Sequence, residues 1–181
     1  MNVLIGIFEL ATGHARGFAR FGATVRDFVV SVAVLIAVPA FGSLLLAARY
    51  GMATGLTLLL LVACALLAPP VLSHLFARAW GKEALWLRFA IAFNWSRLGI
   101  TTLYAVLLSV TAILMQAGLP NETMGTLLQL AMLAYTLWFD WFLIRHGLQV
   151  TRGRAALAVL GVNAGTLLLV AVPMFFSAPL P

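Results

Sequence analysis

Residues 135–154 read YTLWFDWFLIRHGLQVTRGR, and this stretch changes character halfway along. The first ten residues are mainly apolar or aromatic, with one acidic residue, Asp140, between Trp138 and Trp141. The last ten include three arginines, a histidine and two glycines. This order is typical of a helix that leaves a membrane on its positively charged side.

The composition of the whole chain supports the same interpretation. Hydrophobic residues make up 64% of the 181 residues and charged residues only 9%, whereas soluble domains average about 45–50% and about 25%. A chain of this length has room for about five helices of about 20 apolar residues each. The sequence therefore predicts an all-α integral membrane protein with five transmembrane helices.

The chain divides into three parts by its apolar runs. Residues 1–27 are predicted to be an amphipathic segment at the membrane interface, residues 28–176 a single transmembrane domain, and residues 177–181 a short tail. The predicted spans are residues 28–47, 54–76, 97–116, 124–144 and 155–176. Residues 84–95 are expected to be partly interfacial, and residues 118–123, GLPNET, to form a tight turn.

The N-terminal segment is amphipathic when it is plotted as a helix at about 100° per residue. One broad face holds the apolar side chains of Val3, Leu4, Ile7, Phe8, Leu10, Phe18 and Phe21. The opposite face holds the charged side chains of Glu9, Arg16 and Arg20. This pattern indicates a helix that lies in the interface.

The basic residues predict an orientation. Of the eleven lysines and arginines, all but Arg49 fall on one side of the predicted membrane, because they lie in the N-terminal segment, in residues 78–97 or in residues 145–154. By the positive-inside rule the N-terminus is cytoplasmic and the C-terminus is outside. The net charge of +6 is spread beside apolar segments, which indicates contact with anionic lipid and not with nucleic acid. The expected location is a bacterial cytoplasmic membrane.

Asp140 and Arg97 are the first candidate site. Counted from the turn between the third and fourth spans, the two residues differ in depth by about four positions, or about 6 Å. One interpretation is an ion pair that locks the hairpin, and the other is a proton or substrate site. The polar entry to the third span forms either a cytoplasm-facing pocket with Asp140 or an interfacial anchor, and it consists of Asn94, Trp95, Ser96 and Arg97.

Pro69 and Pro70 are the second candidate feature, because two consecutive prolines remove two backbone donors and are expected to break the second span. Such a break either bends the helix around its neighbours or lines a binding site. His74 follows one turn later and is grouped with Asp140, Arg97 and Asn94 as a candidate polar site.

Gly161, Asn163 and Gly165 form a GxxxG motif in the fifth span. Small residues four apart let helices approach closely, and an asparagine can donate a hydrogen bond across the contact. The motif predicts helix packing, either within the bundle or between two copies of the chain.

The sequence contains few signs of catalysis. Cys64 is the only cysteine, and neither a HExxH zinc motif nor a GxSxG elbow occurs. We expect no enzyme activity, no cofactor and no metal. The first functional hypothesis is a membrane scaffold or accessory subunit that binds the lipid bilayer and another membrane protein, or self-associates. The alternative is a small transporter or channel component that uses Asp140, Arg97 and the Pro69-Pro70 break.

Three stretches resemble the Yip1-like membrane proteins, in particular small bacterial members. They are residues 15–28, ARGFARFGATVRDF; residues 66–95, LLAPPVLSHLFARAWGKEALWLRFAIAFNW; and residues 138–157, WFDWFLIRHGLQVTRGRAAL. The resemblance is one of layout over nearly the whole chain, and the DLYGP-type signature is absent. It implies five spans with a cytoplasmic N-terminus, and it implies no catalytic residues.

Overall fold

The computed structural model describes residues 2–116 and 121–177, and within them it contains helices and no strand. The α-helices are α1 (Val3–Ala11), α2 (Val25–Tyr50), α3 (Met52–Ala79), α4 (Glu83–Gln116), α5 (Asn121–Gly147) and α6 (Arg152–Ser177). Helices α2 to α6 are long and apolar enough to cross a membrane, which confirms the prediction of an all-α chain with five such helices. Of the predicted turn at 118–123, residues 118–120 lie outside the described residues, and residues 121–123 already belong to α5, so the turn is shorter than predicted. Residues 178–181 of the predicted tail also lie outside the described residues.

The N-terminal segment is not one continuous helix. Helix α1 ends at Ala11 because the chain reverses at Gly13, where φ is +80°. The N–H of His14 donates to the carbonyl oxygen of Glu9 at 2.8 Å, and the N–H of Gly13 donates to that of Leu10 at 2.9 Å. This pair of bonds is a Schellman motif, for which glycine is the favoured residue. A 3-10 helix, Ala15–Arg20, follows.

Helix α3 continues through Pro69 and Pro70, so the predicted break is wrong. The prolines remove the amide donors for the carbonyl groups of Ala65 and Leu66, four residues earlier. Every other backbone group in an apolar surrounding still needs a partner within its own helix, and this keeps the segment helical. The Ser73 hydroxyl also donates to the carbonyl oxygen of Pro70 at 2.9 Å.

Helix α4 is the longest helix and contacts more neighbours than any other described helix. It packs against α1, α2, α3 and α5, while α6 closes the bundle by packing against α3 and α5. The sequence predicted that residues 84–95 would be partly interfacial, but residues 89–94 are buried among the other helices. The apolar and aromatic character of this stretch reflects contact with protein and not with the membrane surface.

The core lies at one end of the bundle, which we call the basic end. The basic end includes the connections at residues 80–82 and 148–151. Its buried core comes from residues 89–93 of α4, 139–144 of α5 and 155–159 of α6. We call residues 98–114, 125–137 and 163–171 of the same three helices the apolar half. None of these residues is buried in the part of the chain that the structure describes.

Candidate functional site

Arg97 of α4 and Asp140 of α5 form an ion pair inside the bundle. Arg97 Nη2 donates to Asp140 Oδ2 at 2.7 Å, and the Asp140 side chain is only 4% exposed. The guanidinium carbon of Arg97 also lies 5.0 Å from the centre of the Phe93 ring. Removing the Arg97 charge would leave the Asp140 carboxylate buried and uncompensated. The structure thus brings together the two residues for which the sequence favoured an ion pair.

The ion pair lies at the boundary between the basic end and the apolar half. In α4 the buried residues end just before Arg97, and in α5 they begin at Phe139, just before Asp140. A carboxylate and a guanidinium deeper in the apolar half would have lost more hydration. The position of the pair therefore suits two helices that enter a hydrocarbon layer together.

Asn94 connects α4 to α2. Its side chain is 1% exposed, and Nδ2 donates to Ser31 Oγ at 3.0 Å. Ser31 Oγ in turn donates to the carbonyl oxygen of Phe28 at 2.7 Å. Residues 94 and 96 are therefore buried between helices, and the interpretation of this stretch as an interfacial anchor is wrong. Neighbouring helices surround α4 at this level, so its polar side chains meet protein.

Beside the ion pair lies a cavity of about 210 Å³ with both polar and apolar walls. Arg97 and Thr101 contribute one wall from α4, and Asn163 and Thr166 contribute another from α6. Pro69 of α3 also lines it, next to Ala65 and Leu66, the two residues whose carbonyl groups lack proline N–H donors. The cavity is large enough for several water molecules or a small polar solute.

Arg97, Asp140 and Asn94, which we call the polar group, can each form a further hydrogen bond. Arg97 Nε, Asp140 Oδ1 and Asn94 Oδ1 are buried without a hydrogen-bond partner among the described residues. Buried polar atoms normally find partners in protein or ordered water. The group can therefore donate and accept further hydrogen bonds without breaking the contacts described above.

His74 is not part of this polar group. Its ring lies 4.6 Å from the ring of Trp86, and it lines a separate apolar groove between α2 and α3 together with Phe28 and Val32. Its Nδ1 is buried and has no hydrogen-bond partner in the described part of the chain. The sequence grouped His74 with Asp140, Arg97 and Asn94 as a candidate polar site, but the structure places its ring beside Trp86 instead.

The GxxxG motif of α6 faces α3. A Cβ atom added at Gly161 would lie 2.5 Å from Phe76, and one added at Gly165 would lie 2.8 Å from Leu72. Both glycines therefore pack within the bundle, which is the first of the two uses that the sequence allowed. Asn163 does not bond across the contact, because its Nδ2 donates to the carbonyl oxygen of Val159 in its own helix at 2.8 Å.

Sequence reasoning missed three polar contacts that join helices. Trp86 Nε1 of α4 donates to Ser73 Oγ of α3 at 3.2 Å, and Tyr135 Oη of α5 donates to the Ala11 carbonyl oxygen at 2.9 Å. Trp141 Nε1 donates to the carbonyl oxygen of Arg152 at 3.2 Å. The signal that could have found them is the placement of tryptophan and tyrosine near helix ends, since both carry a polar group on an apolar ring.

The N-terminal segment is held together by a charge cluster. Glu9 accepts hydrogen bonds from Arg20, and its Oε1 lies 3.3 Å from Arg16 Nε. The hydrogen bond from Arg20 and the positive charges of both arginines lower the pKa of Glu9 below its ordinary value, although burial opposes them. The two cations exceed the one anion, so the cluster keeps a net positive charge.

Comparison with known proteins adds no family to these observations. The chain matches no family model, no curated protein and no solved structure. The resemblance to Yip1-like proteins therefore stays a prediction.

Proposed function

We propose that this chain is a non-catalytic membrane scaffold or accessory subunit that works by binding another membrane protein. The observation that carries the proposal is the surface of α4 in the apolar half. Thr101, Ala105 and Ser109 repeat at intervals of four residues and share one exposed face. Faces of small residues at this spacing allow close approach of another membrane helix.

The polar atoms of this face suit contact with an apolar partner. The Ser109 hydroxyl donates to the carbonyl oxygen of Ala105 at 2.9 Å, so it needs no partner outside the helix. Within a bilayer, contact with another helix is driven by packing, because lipid tails are as apolar as the helix surface. A flat face of small side chains gains more from such packing than the leucine-rich faces around it.

The proposed orientation has the basic end and the N-terminus in the cytoplasm, and the proposed location is a bacterial cytoplasmic membrane. The distribution of basic residues supports it. Two tryptophans at the basic end also face arginines, since Arg145 lies 5.1 Å from the Trp141 ring and Arg154 lies 5.8 Å from the Trp80 ring. Such pairs are typical of the headgroup region, where α1 would also lie.

The test is co-purification from native membranes in a mild detergent, with the Ala105→Phe variant and a matched control. Val110→Phe is the control, because Val110 is exposed and lies on the other side of the same helix. We expect the wild-type chain and Val110→Phe to recover one stoichiometric membrane protein, or a second copy of the chain. Ala105→Phe should lose it, because the added ring prevents close approach. Equal recovery with both variants would contradict the proposal.

A second candidate function, a small transporter or channel component, is favoured by the cavity beside Arg97. A transport site needs access to water, whereas a structural cavity does not. We would place a cysteine at Thr166, which lines the cavity, in a chain whose exposed Cys64 has been changed to alanine. Labelling by a membrane-impermeant thiol reagent in sealed vesicles would favour transport.

The control for this labelling is a cysteine at Leu168, an exposed residue of the same helix that does not line the cavity. The transporter hypothesis predicts that the thiol reagent labels the cysteine at position 166 and does not label the cysteine at position 168. If neither position reacts from either side of the membrane, the cavity is closed and the transporter hypothesis is wrong.

A further inference from the structure

A pocket of about 210 Å³ lies at the basic end, where the 3-10 helix, the start of α4 and the end of α5 meet. We call it the Arg88 pocket. Its polar lining comes from Arg88 of α4, His146 of α5 and Gln149 of the turn after α5, and its apolar lining includes Phe18 and Leu85. It shares no lining residue with the cavity beside the ion pair, so it is a separate site.

The Arg88 pocket is built on close packing of three segments. A Cβ atom added at Gly147 would lie 2.7 Å from Phe89 and 3.0 Å from Phe18, so this glycine lets both rings pack against the end of α5. The His146 ring is held on its other side by Phe142, with 4.7 Å between the ring centres. Phe89 and Phe142 belong to the buried core of the basic end, so the pocket lies directly against that core.

Gln149 occupies a backbone position that favours glycine. Its φ is +51°, and it is the single described residue other than glycine with a positive φ. The Val150 N–H donates to the Arg145 carbonyl oxygen at 3.1 Å, which closes a Schellman motif around Gln149. A glutamine there is less stable than a glycine, but it supplies a side-chain amide to the lining of the pocket. Residues held in such conformations cluster at ligand-binding sites.

The three polar side chains of the pocket are accessible and have no partner. Arg88 and Gln149 are exposed, and His146 is half-buried. None of the three side chains makes a hydrogen bond or an ion pair with another described residue. The guanidinium, the imidazole and the amide all carry N–H donors. A solute in the pocket can therefore accept hydrogen bonds from three segments of the chain without breaking any existing contact.

The charge of the pocket selects an anion. Among the described residues no acidic side chain lines it. The ion pairs of the described chain do not include Arg88, because they use Arg16, Arg20, Arg78 and Arg97. Arg88 therefore brings an uncompensated positive charge to a concave site.

The donor set of the pocket matches a phosphate group. The planar guanidinium of arginine fits two phosphate oxygens at once, and the remaining oxygens can accept from the other two side chains. A volume of about 210 Å³ holds a phosphate group together with water. We propose that the Arg88 pocket binds a phosphate group, for which Arg88 supplies the charge while His146 and Gln149 donate further hydrogen bonds. The group belongs either to a phospholipid head or to a soluble phosphate compound.

The experiment is calorimetric titration of the full chain with inorganic phosphate, in a neutral detergent without lipid and with sodium chloride of equal ionic strength as the blank. Arg88→Gln removes the charge from the pocket. Arg152→Gln is the matched control, because Arg152 is exposed at the same end of the bundle but does not line the pocket. We expect the wild type and Arg152→Gln to bind one phosphate, and Arg88→Gln to bind it about ten-fold more weakly. Equal binding by the two variants would overturn the proposal.

Gln149→Gly separates binding from folding and keeps the test decisive if Arg88→Gln folds poorly. The change removes the amide from the pocket and relieves the positive φ, so the chain should become more stable while phosphate binds about five-fold more weakly. Weaker binding by a more stable protein cannot result from unfolding. Unchanged affinity in Gln149→Gly would remove Gln149 from the proposed site.

The source of the phosphate group is identified by repeating the titration in micelles that contain phosphatidylglycerol. If the group belongs to a lipid head, phosphatidylglycerol should weaken the binding of inorganic phosphate to the wild type. Native mass spectrometry should then retain one phosphatidylglycerol on the wild type and none on Arg88→Gln. If the group belongs to a soluble compound, the affinity for inorganic phosphate should be the same with and without the lipid. Failure of the wild type to bind phosphate in lipid-free micelles would overturn both assignments.

Discussion

The basic end and the apolar half are parts of the same helices, yet different contacts hold them. At the basic end every sequential pair of helices from α3 to α6 shares a polar contact: Trp86 with Ser73, Arg97 with Asp140, and Trp141 with the Arg152 carbonyl group. In the apolar half the described hydroxyl groups bond mainly within their own helices, and leucines are exposed. Polar contacts and aromatic packing select which helices adjoin, and lipid covers the rest.

Helix α4 contains both environments, because one of its stretches is buried in protein and another is exposed. Its residues 89–94 are buried, whereas residues 98–114 contain no buried residue. Hydrophobicity alone cannot separate these stretches, because a leucine is equally stable against protein and against lipid tails.

The largest expected effect comes from a core deletion at the basic end. Phe89 is 1% exposed, and Phe89→Ala should lower the free energy of unfolding by about 3–5 kcal/mol, because it leaves a cavity among packed rings. Leu133→Ala in the apolar half, at a residue that is 57% exposed, should change it by about 0.5 kcal/mol or less. Thermal unfolding in detergent measures both. Similar losses would mean that the two halves are packed alike.

The second prediction concerns the contact between α6 and α3. Gly161→Ile places a branched side chain against Phe76 and should cost about 1–3 kcal/mol through overpacking. Gly125→Ile is the matched control, because a Cβ at Gly125 would meet nothing within 4 Å. A loss of stability without a change in the assembly state of the purified protein would place the motif within the bundle. Dissociation of a dimer by Gly161→Ile would contradict this.

The third prediction tests the turn that follows α5. Gln149 has φ of +51°, a conformation that costs a side-chain-bearing residue energy and that glycine adopts freely. Gln149→Gly should therefore raise the free energy of unfolding by about 0.5–1 kcal/mol. Gly81→Ala, in the turn before α4 with φ of +64°, should lower it by about 1 kcal/mol. A loss of stability in Gln149→Gly would show that the glutamine side chain makes a contact worth more than this strain.

The smallest expected effect is a dependence on pH. Because Glu9 has a lowered pKa in the folded protein, its ion pairs contribute stability that is fully present above the ordinary value of 4.5. This contribution is lost as the pH falls through the lower folded value. Proteolysis of the N-terminal segment should therefore increase in acid, and Glu9→Gln should be cut at neutral pH at the rate of the acidified wild type. Protection that is independent of pH would mean that the ion pairs of Glu9 do not stabilise this segment.

The sequence predicted the five apolar helices and the pairing of Arg97 with Asp140, because both follow from distances along the chain. Two helices joined by a short turn must lie side by side, so equal depth implies contact. It did not predict the hydrogen bond between Asn94 and Ser31, because this bond depends on which non-sequential helices adjoin. It was also wrong about Pro69 and Pro70, since proline predicts lost donors but not whether the remaining bonds keep the helix intact.

The most direct test of the account is a double-mutant cycle on the ion pair at the boundary of the two regions. Arg97→Met and Asp140→Leu should each lower the free energy of unfolding by about 3 kcal/mol, because each leaves one buried charge unpaired. The double variant should lose much less than the sum, since no charge remains to be buried. Thermal unfolding of the four proteins in one detergent gives this coupling energy. Strictly additive losses would contradict the claim that this ion pair joins α4 to α5.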